Sequence, residues 1–411
     1  MSTAATHHHA TSMVGGPSLT SLRLPSLYHL VHNGVILAQA FLVLIASVLP
    51  SVGGPAILDR MMDLIFAGYL GLVLIKCLLQ KPTFRLLCGL ALIGAYGCAG
   101  LVESYLNHNL GGFMYEGKMF VSLALFICLL DERPTISERS IRLLFYSFII
   151  ASCVFLVLNP GKRLHLVNES NYLCMYVGIA MFSYMSYKGR QLRLRTVIGL
   201  GIFTLFLIIT SQSRTGAGFL ALAWLVYFWE RFGLLMASLS AIALVGFAIV
   251  AGAIAIAVDA PIVSRFEELK NPSKVDRMIY LIEAKKIVER RSINENLLRL
   301  SFSEPVSTRV ADDMKWLTSK HREGTEEGQL YPHHFHLAYL RLLVGHGFVV
   351  FLLFIVALPF VWRHNRYLAL GLGICSLSMS VPYLSLFFGS LQIAMAFPTA
   401  KPAFRKTSIS N

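Results

Sequence analysis

A chain of 411 residues that is 55% hydrophobic and 14% charged, with a mean hydropathy of +0.63, is not a soluble globular domain; such domains carry about 25% charged residues. The composition is that of a polytopic membrane protein. The net charge of +14 fits that class, because excess Lys and Arg holds connections against anionic lipid, and no basic stripe interleaved with aromatics points to nucleic acid.

Residues 1–30 are polar, with Gly, Pro, Ser and Thr throughout, and read as a flexible cytoplasmic N-terminus. The first apolar run comes late and no small-residue cleavage site follows it, so no cleavable signal is expected. A transmembrane bundle then fills 31–258, with spans near 31–49, 61–80, 84–102, 111–130, 141–158, 171–187, 196–210, 215–230 and 232–258. Each is close to the ~20 residues that a helix needs to cross the hydrocarbon. The seven cysteines all fall in apolar stretches, which argues for packing roles and against a disulfide framework. No Cys/His cluster has zinc spacing, so no metal is expected.

Residues 259–336 form one long polar loop. Within it Val275 to Arg291 has Met278, Leu281, Ile282 and Val288 at helical spacing with Lys and Glu between, the pattern of an amphipathic helix lying at the membrane interface. Residues 292–331 give no clear pattern. C-terminal spans occupy 337–398, one near 337–362 and an apolar stretch 367–398 that Pro382 divides. Residues 399–411 are a cytoplasmic tail. The total is about 11–12 transmembrane helices.

Loop charges set the orientation. With the N-terminus inside, cytoplasmic connections hold Lys76, Lys81, Arg85, Arg133, Arg139, Arg142, Lys188, Arg190, Arg193, Arg195, Arg231, Arg363 and Arg366. The opposite connections hold only Arg60, Lys118, Lys162, Arg163 and Arg214. The positive-inside rule therefore puts the long loop on the outer face.

Three stretches carry candidate chemistry. Ser211-Gln212-Ser213-Arg214-Thr215-Gly216-Ala217-Gly218 joins two apolar runs with almost no loop. An Arg at a span end can simply snorkel to the headgroups. Here hydroxyls and glycines surround it, and a fixed guanidinium suits bidentate binding of phosphate. Arg277 opens the amphipathic helix, with Arg265 twelve residues before it; both also read as solvated interface charges. Asn168-Glu169-Ser170-Asn171 reads equally as a helix cap, and Lys162 and Arg163 precede it. Last, His333, His334 and His336 crowd the lip of a span that continues through Tyr339 to Gly347. A neutral imidazole at the rim of a water-filled cavity can act as a general base, its unperturbed pKa being about 6.5.

In order and spacing these pieces resemble the O-antigen ligase and O-antigen polymerase family of bacterial membrane glycosyltransferases. That family pattern has a Ser-Arg followed by small residues at a span start. A large periplasmic loop follows, with an Arg opening an amphipathic helix, and then a His-Asn-x-Tyr/Phe-Leu sequence leading to a Gly. Ser213-Arg214-Thr215-Gly216 matches the first; Arg265-Phe266 and Asp276-Arg277-Met278-Ile279-Tyr280 resemble the second; His336-Leu337-Ala338-Tyr339-Leu340 and Gly347 match the third. Leu337 stands in place of the usual Asn, and the Gly-x-Gly turn often found after the loop helix is missing.

The resemblance implies a glycosyltransferase-C-like, all-α integral membrane enzyme of the inner membrane with its active site facing the periplasm. It implies inverting transfer of a glycan from a polyprenyl-diphosphate-linked donor to an acceptor sugar hydroxyl, with no cofactor. Arg214 and Arg277 would neutralise the diphosphate and His336 would take the hydroxyl proton. His333, His334, Arg163, Arg265, Ser213 and Tyr339 would line the substrate. Membrane lipid, an acceptor glycan and other polysaccharide-assembly proteins are the implied partners. A polymerase and a ligase acting on lipid A core both fit these motifs, and a lipid-linked sugar flippase or transporter is the rival of another class. Which of the three histidines is the base is open at this level.

Overall fold

The computed structural model of the chain describes residues 19–48, 54–80, 82–132, 134–164, 166, 170–257, 276–308, 326–377 and 388–398. Arg265, Asn168, Pro382, the first eighteen residues and the tail after 398 lie outside the described residues. The elements are α1 (Leu19–Val48), α2 (Gly54–Leu79), α3 (Phe84–Leu106), α4 (Leu110–Glu132), α5 (Glu138–Leu158), α6 (Ser170–Lys188), α7 (Leu194–Ser211), α8 (Arg214–Phe232) and α9 (Leu234–Ala257). After them come α10 (Asp276–Arg290), α11 (Ile293–Leu297), α12 (Ala338–His346), α13 (Phe348–His364), α14 (Arg366–Cys375) and α15 (Phe388–Ala396). Among the described residues there is no strand, only an isolated bridge between Ser307 and Leu330.

Among the described residues, six helices are long and apolar enough to cross a membrane: Tyr28–Val48, Arg60–Leu79, Phe84–Leu106, Leu110–Glu132, Glu138–Leu158 and Leu194–Ser211. The described residues thus form an all-helical structure compatible with a membrane protein. Helix α6 is apolar on every side and correspondingly central. Leu173 to Phe182 is buried without interruption, and the neighbours of Gly178 are the Phe219 and Leu220 side chains of α8. Helices α8, α14 and α15 pack around it.

One end of the bundle collects basic residues and pairs them. Lys76 and His32 meet Glu132, Lys188 meets Glu138, and Arg366 bonds Glu230 at 2.7 Å. Asn33 of α1 accepts from Ser137 and Ser140 at the start of α5, tying these pairs into one polar rim.

The span expected near 337–362 is two helices. Gly347 separates α12 from α13 at a φ of +90°, a backbone region that glycine adopts without strain. A β-carbon there would stand 2.7 Å from the Leu297 carbonyl oxygen, so the loop backbone packs into the break.

Candidate functional site

The histidine stretch is a turn folded inward. Leu330 pairs with Ser307 through backbone hydrogen bonds, and Pro332–His334 forms one 3-10 turn. The His334 Nδ1 accepts the Tyr331 N–H at 3.1 Å, which fixes that ring against its own turn. The His333 Nδ1 lies 3.6 Å from Glu116 Oε1 in α4. His333, His334 and Phe335 are all buried; His336 is half-buried and is the one residue of 330–338 that is not enclosed. It does not start a helix, and no helical face joins it to His333, because α12 begins only at Ala338. The Ala338 N–H donates instead to the Ser376 carbonyl after α14 at 3.0 Å.

The His336 ring sits 5.9 Å from the Tyr280 ring of α10. Tyr280 is one turn from Arg277, so the structure brings the helix that carries Arg277 against the histidine turn. Arg277 itself is exposed. The face of α10 that packs is not the one that hydrophobic spacing singles out. Tyr280, Ala284 and Ile287 are buried against Phe335, Leu337 and Val344, whereas Met278, Leu281 and Ile282 are exposed. The helix has two apolar faces, and the one with the aromatic residue carries the contact.

Arg214 and Arg163 form a second group. Gln212 takes a left-handed conformation at the end of α7, and Ser213 caps α8 by accepting from the Gly216 N–H at 2.8 Å. Arg214 is the first residue of α8 and is exposed. The Arg163 Nε donates to the Ser211 carbonyl at 3.2 Å and its Nη2 to the Gln212 carbonyl at 3.5 Å. A guanidinium on the last carbonyls of α7 is placed as the helix dipole favours. The small residues after Arg214 permit close approach: a β-carbon on Gly216 would stand 2.6 Å from that of Cys174 in α6. Tyr339 is a strut between helices, donating to the Gly373 carbonyl at 2.9 Å while its ring packs on Phe351 and Phe354.

Sequence reasoning passed over the most enclosed carboxylate among the described residues. Glu116 of α4 is 1% exposed and is met by Arg341 of α12, whose Nε and Nη2 donate to its Oε2 at 3.1 and 3.0 Å. The His346 Nε2 stands 3.5 Å from the same oxygen. On its other side the His346 Nδ1 is 3.0 Å from the Tyr96 hydroxyl, which donates to the Arg299 carbonyl at 2.6 Å. That arrangement makes Nδ1 the donor to Tyr96. A carboxylate in an apolar helix is costly to bury unless paired, and that is the signal that was available in the sequence.

Two more loop arginines reach the end of α12. The Arg291 Nη1 donates to the Val344 carbonyl at 2.6 Å, and the Arg299 N–H donates to the His346 carbonyl at 3.1 Å. Burial, with the neighbouring Arg299 charge second, pushes the Arg291 guanidinium down to about 10. Glu103 at the end of α3 binds the loop as well, accepting from the Ser301 hydroxyl at 2.9 Å and the Phe302 N–H at 2.9 Å.

Among the described residues, no group of three or more His, Cys, Asp or Glu side chains is arranged to hold a metal ion. Comparison of the chain with protein families, curated proteins and solved structures found no match. Chemically, the geometry offers a half-exposed imidazole beside the helix that carries an exposed Arg, and a separate corner with two further arginines.

Proposed function

We propose that the chain is a glycan polymerase of the inner membrane. It would transfer glycan from a polyprenyl-diphosphate-linked donor to an acceptor sugar hydroxyl at the periplasmic face. The observation that carries this reading is the contrast among the three histidines. His333 and His334 are enclosed, whereas His336 is half-buried and rests on Tyr280, one turn from Arg277. In this reading His336 removes the hydroxyl proton as a general base. Arg277 and Arg214 neutralise the diphosphate leaving group, as preorganised cations stabilise developing charge elsewhere. Arg163 and Ser213 hold the Arg214 corner in place. A ligase acting on lipid A core uses the same chemistry with a different acceptor.

The experiment is transfer from a synthetic polyprenyl-diphosphate oligosaccharide by purified protein in detergent or vesicles. Longer lipid-linked glycan supports the polymerase, and transfer only to added lipid A core supports the ligase. The second reading, a transporter of lipid-linked sugar, is favoured by one observation: α4 carries an enclosed, cation-paired carboxylate towards each end, at Glu116 and Glu132. Protected movement of the labelled lipid across vesicles, with no new glycosidic bond, would sink the enzyme reading.

A further inference from the structure

Glu116 touches the chain on both sides of His336. The His333 imidazole faces its Oε1 at 3.6 Å, and the Arg341 guanidinium holds its Oε2 at 3.0 and 3.1 Å. The segment from His333 to Arg341 is therefore a short loop closed at a single carboxylate, and His336 lies within it. The C-terminal part of the segment is anchored to α14 by the Ala338 N–H on the Ser376 carbonyl and the Tyr339 hydroxyl on the Gly373 carbonyl, whereas the 3-10 turn that precedes His336 is a local structure. Glu116 comes from α4, a long apolar helix, so it ties the turn to the bundle. His346 extends the tie. Its Nε2 is 3.5 Å from Glu116, and through Tyr96 its other nitrogen reaches the Arg299 carbonyl of the polar loop.

We propose that Glu116 is a positioning residue. By holding His333 and Arg341 at once, it sets where His336 lies against Tyr280 and the helix that carries Arg277. The role of His336 as base rests on the function proposed above; the positioning by Glu116 does not. Two guanidinium nitrogens on one carboxylate oxygen, enclosed from water, restrain direction as well as distance. Misplacing a catalytic group by about 1 Å is enough to lower a rate on the order of a hundredfold.

The test separates position from activity. Cysteines replace Tyr280 and His336, whose rings are 5.9 Å apart, and a short bifunctional thiol reagent links them. The linked peptide is measured by mass spectrometry in membranes. The charge pair is then removed as a unit in Glu116→Leu with Arg341→Met, which leaves no orphan buried charge. Linking should fall by about tenfold or more while abundance holds, by the same sensitivity to small displacements. Unchanged linking in that folded variant overturns the proposal. If it does not accumulate, Arg341→Lys serves, because it keeps the charge and loses the fork; linking should still fall, and unchanged linking again overturns the proposal.

With His336 and Tyr280 restored, the same variants should lose kcat about tenfold or more with KM within about twofold, the signature of a misplaced reacting group. A rise in KM at unchanged kcat would instead place Glu116 in donor binding and refute the positioning role. Loss of linking in a protein that transfers no glycan would uphold Glu116 and remove the enzyme reading alone.

Discussion

The Phe302 ring occupies the space beside Gly100 where any side chain would begin. A β-carbon on Gly100 would lie 1.9 Å from the ring's Cδ2 and Cε2. This contact seats the polar loop on α3 and α4. Phe302 also packs edge-on to Tyr96 and Phe120, and the flanking Ser301 and Ser303 bond Glu103.

Gly100→Ala should therefore unseat the loop. Forcing extra volume into a filled site costs about 1–3 kcal/mol or more, and the ring has the Tyr96 and Phe120 rings around it. The measurement is trypsin cleavage at Arg299 in isolated membranes, which should rise sharply relative to the parent protein. Gly94→Ala is the control, because nothing lies within 4 Å of the position of its β-carbon. Equal cleavage in the two variants would mean that the Phe302 contact does not hold the loop.

Helix positions were legible in the sequence because a long apolar run needs no partner to declare itself. The expectation of an amphipathic helix over 275–291 agrees closely with α10 at Asp276–Arg290. What failed there was the choice of face. Met278, Leu281 and Ile282 have the right period, but Tyr280 with Ala284 and Ile287 makes the contact, and only the partner surface decides between two apolar stripes. The Gly347 break was illegible for a similar reason: its cause is the Leu297 backbone, fifty residues away in the chain. Glu116 and Arg341 were each visible as charges in apolar surroundings, yet they are 225 residues apart. Nothing local in the sequence joins them. The Ser213-Arg214-Thr215-Gly216 corner, by contrast, is a local cap with local spacing, and its small residues permit a close helix approach.

Topology offers a direct check. Asn294 in α11 and Gln191 after α6 are both exposed, and the charge bias puts them on opposite sides of the membrane. The exposed thiols Cys88, Cys98 and Cys153 are first replaced by Ser. Asn294→Cys should then react with an impermeant maleimide in spheroplasts, and Gln191→Cys only after the membrane is opened. The reverse pattern would remove both the orientation and the catalytic face proposed for His336.

Arg214 is exposed at the first position of α8. Replacing it should leave the protein at normal abundance, because substitutions at exposed positions usually stay within about 0.5 kcal/mol. If Arg214 grips diphosphate with two parallel bonds, Arg214→Lys should fail nearly as badly as Arg214→Ala, since an ammonium is a point charge without a fork. Glycan product at matched expression is the readout. Near-normal chains from the Lys variant would assign Arg214 to headgroup snorkelling.

The histidines should separate by two measurements taken together, activity and abundance. His336 is half-buried and touches the Tyr280 ring, so His336→Ala should accumulate normally and lose transfer by about a hundred- to ten-thousand-fold, the range that a general base contributes. His336→Gln should not rescue it, because an amide keeps hydrogen bonding and cannot take the proton. His333→Ala and His334→Ala should behave differently. Each removes an enclosed ring: His333 from beside Glu116, and His334 from the Tyr331 N–H that it accepts. Losing a buried ring, and in His334→Ala also leaving the buried Tyr331 N–H unsatisfied, costs on the order of 1–3 kcal/mol or more, so these two should lower membrane abundance and thermal stability first, and activity in proportion. Specific activity per folded molecule is the deciding quantity. If it collapses in His333→Ala and survives in His336→Ala, the carboxylate-bound imidazole is the base and Glu116 orients it. If it survives in all three, no histidine of this turn takes the proton, and the outer-face base mechanism is wrong.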